Sequence, residues 1–249
     1  MQNKDFLGLF KNKKPIIGML HLKGTDKEDR YQRFLRELEI YVNSGIDGVI
    51  VETYFGTYSS MEQALNYLAE NKIKIPYGVN CLNVDTMGFY AAEKYNADFI
   101  QIDSVVGHVK PRDEETVQAF FDYMRPQFHG AVIGGVRFKY QPMLSVNTVE
   151  QDLEIAKGRC DGICVTQDRT GQETSLEKIK EFKAQLQDFP LIVAAGVTPE
   201  NVKKQLKYAD AAIVGSYFKD NYQDNGELCQ EHINELLQVV KEIRSEQND

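Results

Sequence analysis

The chain has 249 residues, 42% of them hydrophobic, with 13 Phe, 13 Tyr and no Trp, enough for one sizeable core. With 29 Lys and Arg against 37 Asp and Glu the net charge is −8, a surface that repels nucleic acid and anionic membranes. The four cysteines form no disulfide framework, the short apolar stretch Phe6–Phe10 is no signal peptide, and no run approaches the roughly 20 apolar residues of a membrane span, so the expectation is a cytoplasmic protein without membrane insertion.

Along the chain, short apolar runs rich in β-branched residues alternate with longer polar segments of helical spacing. The predicted strands are Ile16–His21, Gly48–Glu52, Tyr77–Asn80, Phe99–Asp103, Ala131–Lys139, Gly162–Thr166, Leu191–Ala195 and Ala211–Gly215. Helical segments include Tyr31–Asn43, Ser60–Asn71, Glu114–Phe128, Leu176–Gln187 and Glu227–Arg244. Strict alternation implies parallel strands with right-handed crossovers. Eight units in this length, with no Gly-x-Gly-x-x-Gly after the first strand, favour a closed (β/α)8 barrel over an open doubly wound sheet: an α/β fold and one domain over residues 1–249. No linker and no internal repeat is apparent, and the polar tail from Ser245 to Asp249 is expected to fray.

In such a barrel the active site lies at the C-terminal strand ends. Side chains alternate along a strand, so parity selects those that point inward. Gln101 is costly against the helix layer and is expected inside, which aims Asp103 into the mouth. The same parity brings in His21, Glu52, Asn80, Arg137, Lys139 and Thr166. The other end of the barrel reads as poor in polar groups.

After the seventh strand the chain reads Gly196-Val197-Thr198-Pro199. Gly196 permits close backbone approach, Thr198 is a good N-cap, and Pro199 suits the first helical position. A helix N-terminus aimed at the mouth suits a phosphate, and Gly215-Ser216 adds a second small-residue turn after strand eight. A phosphorylated small molecule held by Gly196, Val197, Gly215 and Ser216 is the expected ligand. The bland reading, a capped helix and two tight turns, stays open.

Glu52 and Asp103 are positioned to divide acid and base work. The competing reading pairs one of them with Arg137 or Lys139. Lys139 serves an anionic substrate or, if desolvated, a Schiff base. His21 is a general acid or base, a metal ligand or an orienting group. Asn80, Arg137, Thr166 and Asp168 complete the expected substrate contacts, with the segment from Gln167 to Glu173 as a lid. His108 is a weaker candidate; His129 and His232 fall away from the mouth. No cofactor motif is present. His21, Glu52 and Asp103 are suitable ligands for a divalent metal, but no local spacing supports a site.

These motifs, in order, resemble the BtpA family. Ile17-Gly18-Met19-Leu20-His21-Leu22, Gly48-Val49-Ile50-Val51-Glu52 and Gly78-Val79-Asn80-Cys81-Leu82-Asn83-Val84-Asp85 are similar to its first three strands. Ala97-Asp98-Phe99-Ile100, Val136-Arg137-Phe138-Lys139, Asp161 to Thr166 with Thr170-Gly171, Gly196 to Val202 and Asp210 to Gly215 continue the likeness. The resemblance implies a barrel related to phosphate-binding barrels such as phosphoribosylanthranilate isomerase. It departs at Leu22–Asp26, shorter and more charged than the family's Pro- and Gly-rich stretch, and at Tyr140, where the family has histidine. It leaves three functional expectations: an isomerase or aldolase/lyase acting on a phosphorylated sugar, a non-catalytic assembly protein, or an enzyme like phosphoribosylanthranilate isomerase. That isomerase's cysteine near the first strand has no counterpart here. Association into a homo-oligomer stays open.

Overall fold

The computed structural model describes residues 4–107, 113–144 and 146–246. His108 lies outside them. Eight parallel strands close into one ring in chain order: β1 (Ile16–Leu20), β2 (Gly48–Glu52), β3 (Tyr77–Asn80), β4 (Phe99–Ile102), β5 (Ala131–Gly135), β6 (Gly162–Val165), β7 (Leu191–Val193) and β8 (Ala211–Val214). Around them run α1 (Lys27–Ser44), α2 (Tyr58–Glu70), α3 (Asp85–Lys94), α4 (Glu114–Met124), α5 (Val149–Lys157), α6 (Leu176–Leu186), α7 (Pro199–Leu206) and α8 (Gln230–Glu246). This is the (β/α)8 barrel expected from the alternation.

The helices start where the sequence supplies an oxygen for their free N–H groups. Asp26, Thr57, Asp113 and Ser175 cap α1, α2, α4 and α6, and Thr148 and Thr198 form capping boxes with Gln151 and Asn201. Alternation then sorts the strands into two cores. Outward residues such as Val49, Val51, Val79 and Ile100 pack on the helices. Inward residues Ile17, Met19, Ile50, Phe99, Ile133, Cys164, Ile192 and Ile213 fill the barrel.

The N-terminal segment Phe6–Phe10 plugs the bottom. Phe6 and Phe10 stand 5.5 and 6.2 Å from the Phe99 ring, both fully or nearly buried. Its apolar run is therefore core.

Three expectations need correction. Strand five ends at Gly135, four residues early, and Arg137 takes a left-handed φ of 49° that turns the chain out of the sheet. Parity does not carry across such a turn. The polar tail is more regular than expected, since α8 includes Ser245 and Glu246; the rest of it, residues 247–249, lies outside the described residues.

The third concerns the bottom of the barrel, which is not poor in polar groups. Asp47, Asp98, Asp161 and Asp210 each stand just before an even-numbered strand. Each carboxylate accepts a backbone N–H from a neighbouring strand or its lead-in: Ile16 at 2.8 Å, Tyr77 at 2.9 Å, Val132 at 2.7 Å and Leu191 at 3.0 Å. Cations hold three of them in turn: Arg244 on Asp47, Arg125 on Asp161, and Lys183 on Asp210. A fourfold repeat is thus present, but it is one residue wide.

Asp161 and Arg125 are both buried, with their charged atoms 2.8 Å apart. Removing one partner of such a pair strands the other charge. Asp161→Ala is expected to lower unfolding stability by about 3–5 kcal/mol in urea denaturation, with ligand binding at the opposite end unchanged below the transition.

Candidate active site

The C-terminal strand ends open into a cavity of about 290 Å³. His21, one residue beyond β1, shares the inward parity of Ile17 and Met19. Glu52 ends β2, Asn80 ends β3, and Gln101 and Asp103 follow Phe99 on the inward face of β4. Lys139 and Tyr140 enter from the loop after β5.

These groups are connected. His21 Nε2 lies 3.3 Å from Glu52 Oε2. The Asn80 amide donates to Glu52 Oε1 at 3.2 Å and to Asp103 Oδ1 at 3.1 Å, so one side chain ties both carboxyl groups. Burial dominates the electrostatics. It pushes the Glu52 carboxyl up to about 8, with Lys139 opposing and Asp103 adding to the rise. It also pushes the His21 imidazole down to about 4. Asp103 is raised by burial too, against the Asn80 hydrogen bond. At neutral pH the pair is therefore uncharged, a carboxylic acid facing a neutral imidazole. The tautomer that suits an acid 3.3 Å from Nε2 has its hydrogen on Nδ1. His21 Nδ1 is buried and has no partner; nor has Gln101 Oε1. Among the described residues Lys139 Nζ forms no ion pair, so no carboxylate here is engaged in a fixed salt bridge with it.

Gly171, Gly196, Gly215 and Ser216 form the wall on the side of β7 and β8. Gly196 has φ 64°, and a Cβ there would fall 2.3 Å from the main chain of Gln172 and Glu173. Its close approach is to the loop after β6. Gly215 faces the His21 ring, 3.5 Å from where its own Cβ would stand. Across this wall lies a second cleft lined by Val197, Thr198, Tyr217 and Tyr222.

Several expected residues lie elsewhere. Arg137 points outward, its Nε 3.0 Å from Asp152 Oδ2 on α5 and its NH2 donating to the Asn147 carbonyl. Thr166 is inward but sealed, its hydroxyl accepting the Lys139 N–H at 2.6 Å. Asp168 is exposed and reaches the loop after β5 through its carbonyl, which accepts the Tyr140 N–H at 2.9 Å. Val197 packs its side chain into the outer core and lines the second cleft, not the mouth.

Other residues that shape the mouth escaped the strand-end reading. Lys178 on α6 donates to the carbonyls of Arg137 (3.0 Å) and Thr166 (2.6 Å), fixing the loop that carries Lys139. Tyr54 lies beside His21, ring centroids 5.0 Å apart. Asp224, beyond β8, accepts from Ser216 Oγ at 2.7 Å and from Tyr54 OH at 3.1 Å. Burial and Asp224 push the Tyr54 hydroxyl up to about 12. Among the described residues no three His, Cys, Asp or Glu side chains are grouped to hold a metal ion, and all four cysteines are free. No described helix is long and apolar enough to cross a membrane.

The fold and this mouth define a parallel barrel with a buried, hydrogen-bonded cluster of polar groups at its C-terminal face. The chain belongs to the BtpA family, whose model matches residues 12–242. An uncharacterized protein of Pyrococcus furiosus is 28% identical over 98% of this chain and 99% of its own length. Among solved structures, phosphoribosyl anthranilate isomerase from Thermus thermophilus superposes with a TM-score of 0.62 at 13% identity, covering 92% of this chain and 100% of that one. Orotidine 5'-phosphate decarboxylase from Pyrococcus horikoshii gives 0.59 at 16% identity, covering 91% and 99%. These two likenesses establish the fold.

The two shifted groups act on stability in opposite directions. His21, lowered, makes stability rise with pH from about 4 to its ordinary 6.5; Glu52, raised, makes stability fall from its ordinary 4.5 to about 8. Above pH 6.5 only Glu52 of this pair still acts. Between pH 6.5 and 8 the protein is expected to lose on the order of 2 kcal/mol through this group. Urea midpoints of Glu52→Gln should lack that decline.

Proposed function

We propose that the protein is an enzyme that isomerises a small phosphorylated sugar or related metabolite, or makes and breaks an aldol-type bond in one. The observation that carries this reading is the buried Glu52–His21 pair at 3.3 Å, with Asp103 held on the same Asn80 amide as Glu52. Both reaction types require a proton to leave one atom of the substrate and another to arrive nearby. A carboxyl group kept protonated at neutral pH supplies a proton, and a second carboxyl group of different surroundings receives one. Lys139, without an ion pair, stabilises the oxyanion that forms as a carbonyl becomes an enediolate or enolate.

The phosphate would rest on the wall of Gly171, Gly196, Gly215 and Ser216. Main-chain N–H groups and the Ser216 hydroxyl are the donors available there. The likeness in fold to two enzymes named for phosphorylated compounds supports this placement. Val197 is dropped from the wall, and Arg137 and Asp168 from the substrate contacts. Thr166 serves through its hold on Lys139.

A reading as phosphoribosylanthranilate isomerase itself lacks that enzyme's cysteine: none of the described residues lining the cavity is one. A purely assembly-related role gives no reason for burying Glu52 and Asp103, which costs stability.

The test is a thermal-shift screen of phosphorylated aldoses and ketoses, followed by turnover assays on those that raise the melting temperature. Glu52→Gln and Asp103→Asn are each expected to lower kcat by at least about 100-fold while the fold survives. Full turnover in both variants would overturn the acid and base assignments.

A further inference from the structure

We propose that Asp224 is a built-in anion that occupies the phosphate subsite of the resting protein and is exchanged for the substrate's phosphate. The inference rests on the phosphate reading of the same wall and deepens it.

Residues 219–228 form a small flap after β8. Its base is fixed. Lys219 and Leu228 make an antiparallel bridge, and Asp220 N–H donates to the Glu227 carbonyl at 2.8 Å. Lys219 Nζ is buried 2.7 Å from Glu37 Oε1. Arg33 adds a bond to the Gly226 carbonyl at 2.8 Å, and Lys23 one to the carbonyl of Asn225. Asp224 sits at the tip and lines the mouth.

Its carboxylate is held differently from the buried acids at the bottom of the barrel. Each oxygen takes one hydroxyl, Ser216 Oγ at 2.7 Å and Tyr54 OH at 3.1 Å, and no described cation forms an ion pair with it. Hydroxyl donors serve a phosphate oxygen as readily as a carboxylate oxygen. The Asp224 main chain lies against the buried His21 ring, which places the flap tip directly over the site. Two hydroxyl donors that converge on one carboxylate at the edge of the mouth mark an anion position that a ligand's phosphate can contest. Two anions cannot share it, because both need the same two hydroxyl donors and like charges at contact distance repel. Ligand phosphate therefore takes the Ser216 and Tyr54 hydroxyls only when the Asp224 carboxylate leaves them. With the flap base pinned, rotation of this one side chain is sufficient.

Isothermal titration of inorganic phosphate and of ribose 5-phosphate into the wild type, Asp224→Asn and Asp224→Ala tests the exchange. Either variant is expected to bind phosphate at least about tenfold more tightly than the wild type, and Ser216→Ala to bind it more weakly. Crystals of the wild type soaked in phosphate should show the Ser216 hydroxyl on a phosphate oxygen and Asp224 turned away. If the wild type binds phosphate and both Asp224 variants bind it no better, the exchange is wrong while the phosphate wall stands. Phosphate bound with Asp224 still on Ser216 overturns the exchange in the same way. If no protein of the series binds either probe, the phosphate reading falls and takes the exchange with it.

Discussion

Eight parallel strands closed into one ring leave each terminal inward side chain a single destination. It cannot turn to the helices, and the barrel below it is filled by Ile17, Ile50, Phe99, Ile133, Ile192 and Ile213. Polar groups on the inward face must collect in the mouth and satisfy one another there. The Asn80 amide between two carboxyl groups, and the His21 ring against Glu52, are what this crowding produces. Burial disfavours the ionised forms, so the lowest-energy arrangement keeps the Glu52 proton and leaves the imidazole neutral. The chemistry available to the site follows from being dry.

The two ends of the barrel use acids in different ways. At the bottom, four aspartates accept main-chain N–H groups at the starts of strands, and three are matched by cations. Each ties a main-chain N–H across to the adjoining strand, which suits them to holding a register. At the top, Glu52, Asp103 and Asp224 face Lys139 across a cavity with no ion pair to that lysine among the described residues, and three buried polar atoms of the lining, on His21, Gln101 and Thr170, lack partners. The unpartnered polar atoms in the mouth support the proposed site on grounds separate from any likeness to other barrels.

The strand-end parity that selected His21, Glu52, Asn80 and Asp103 needed only local information: a strand's length and its apolar alternation. It failed for Arg137, because a left-handed residue after Gly135 breaks the alternation and nothing in Val136-Arg137-Phe138-Lys139 announces the break. Lys139 still reaches the mouth, held by Thr166 and Lys178, which are distant in sequence. Asp224 was invisible for a related reason. It lies in an irregular segment, where no period relates position in the chain to direction in space.

The sequence by itself determined the barrel, the helix caps, the end of the barrel where the inward polar side chains gather, and the inward residues of the regular strands. Each is a consequence of periodicity or of short-range hydrogen bonding, and both are written in neighbouring residues. Only the tertiary structure decided that Phe6–Phe10 is a plug, that Gly196 makes room for the chain's own loop, and that Ser216 already holds a carboxylate. It also decided the proton state of Glu52 and His21. Those properties depend on which distant segments meet and on how much water their meeting excludes, and neither quantity is carried by any local stretch of the chain.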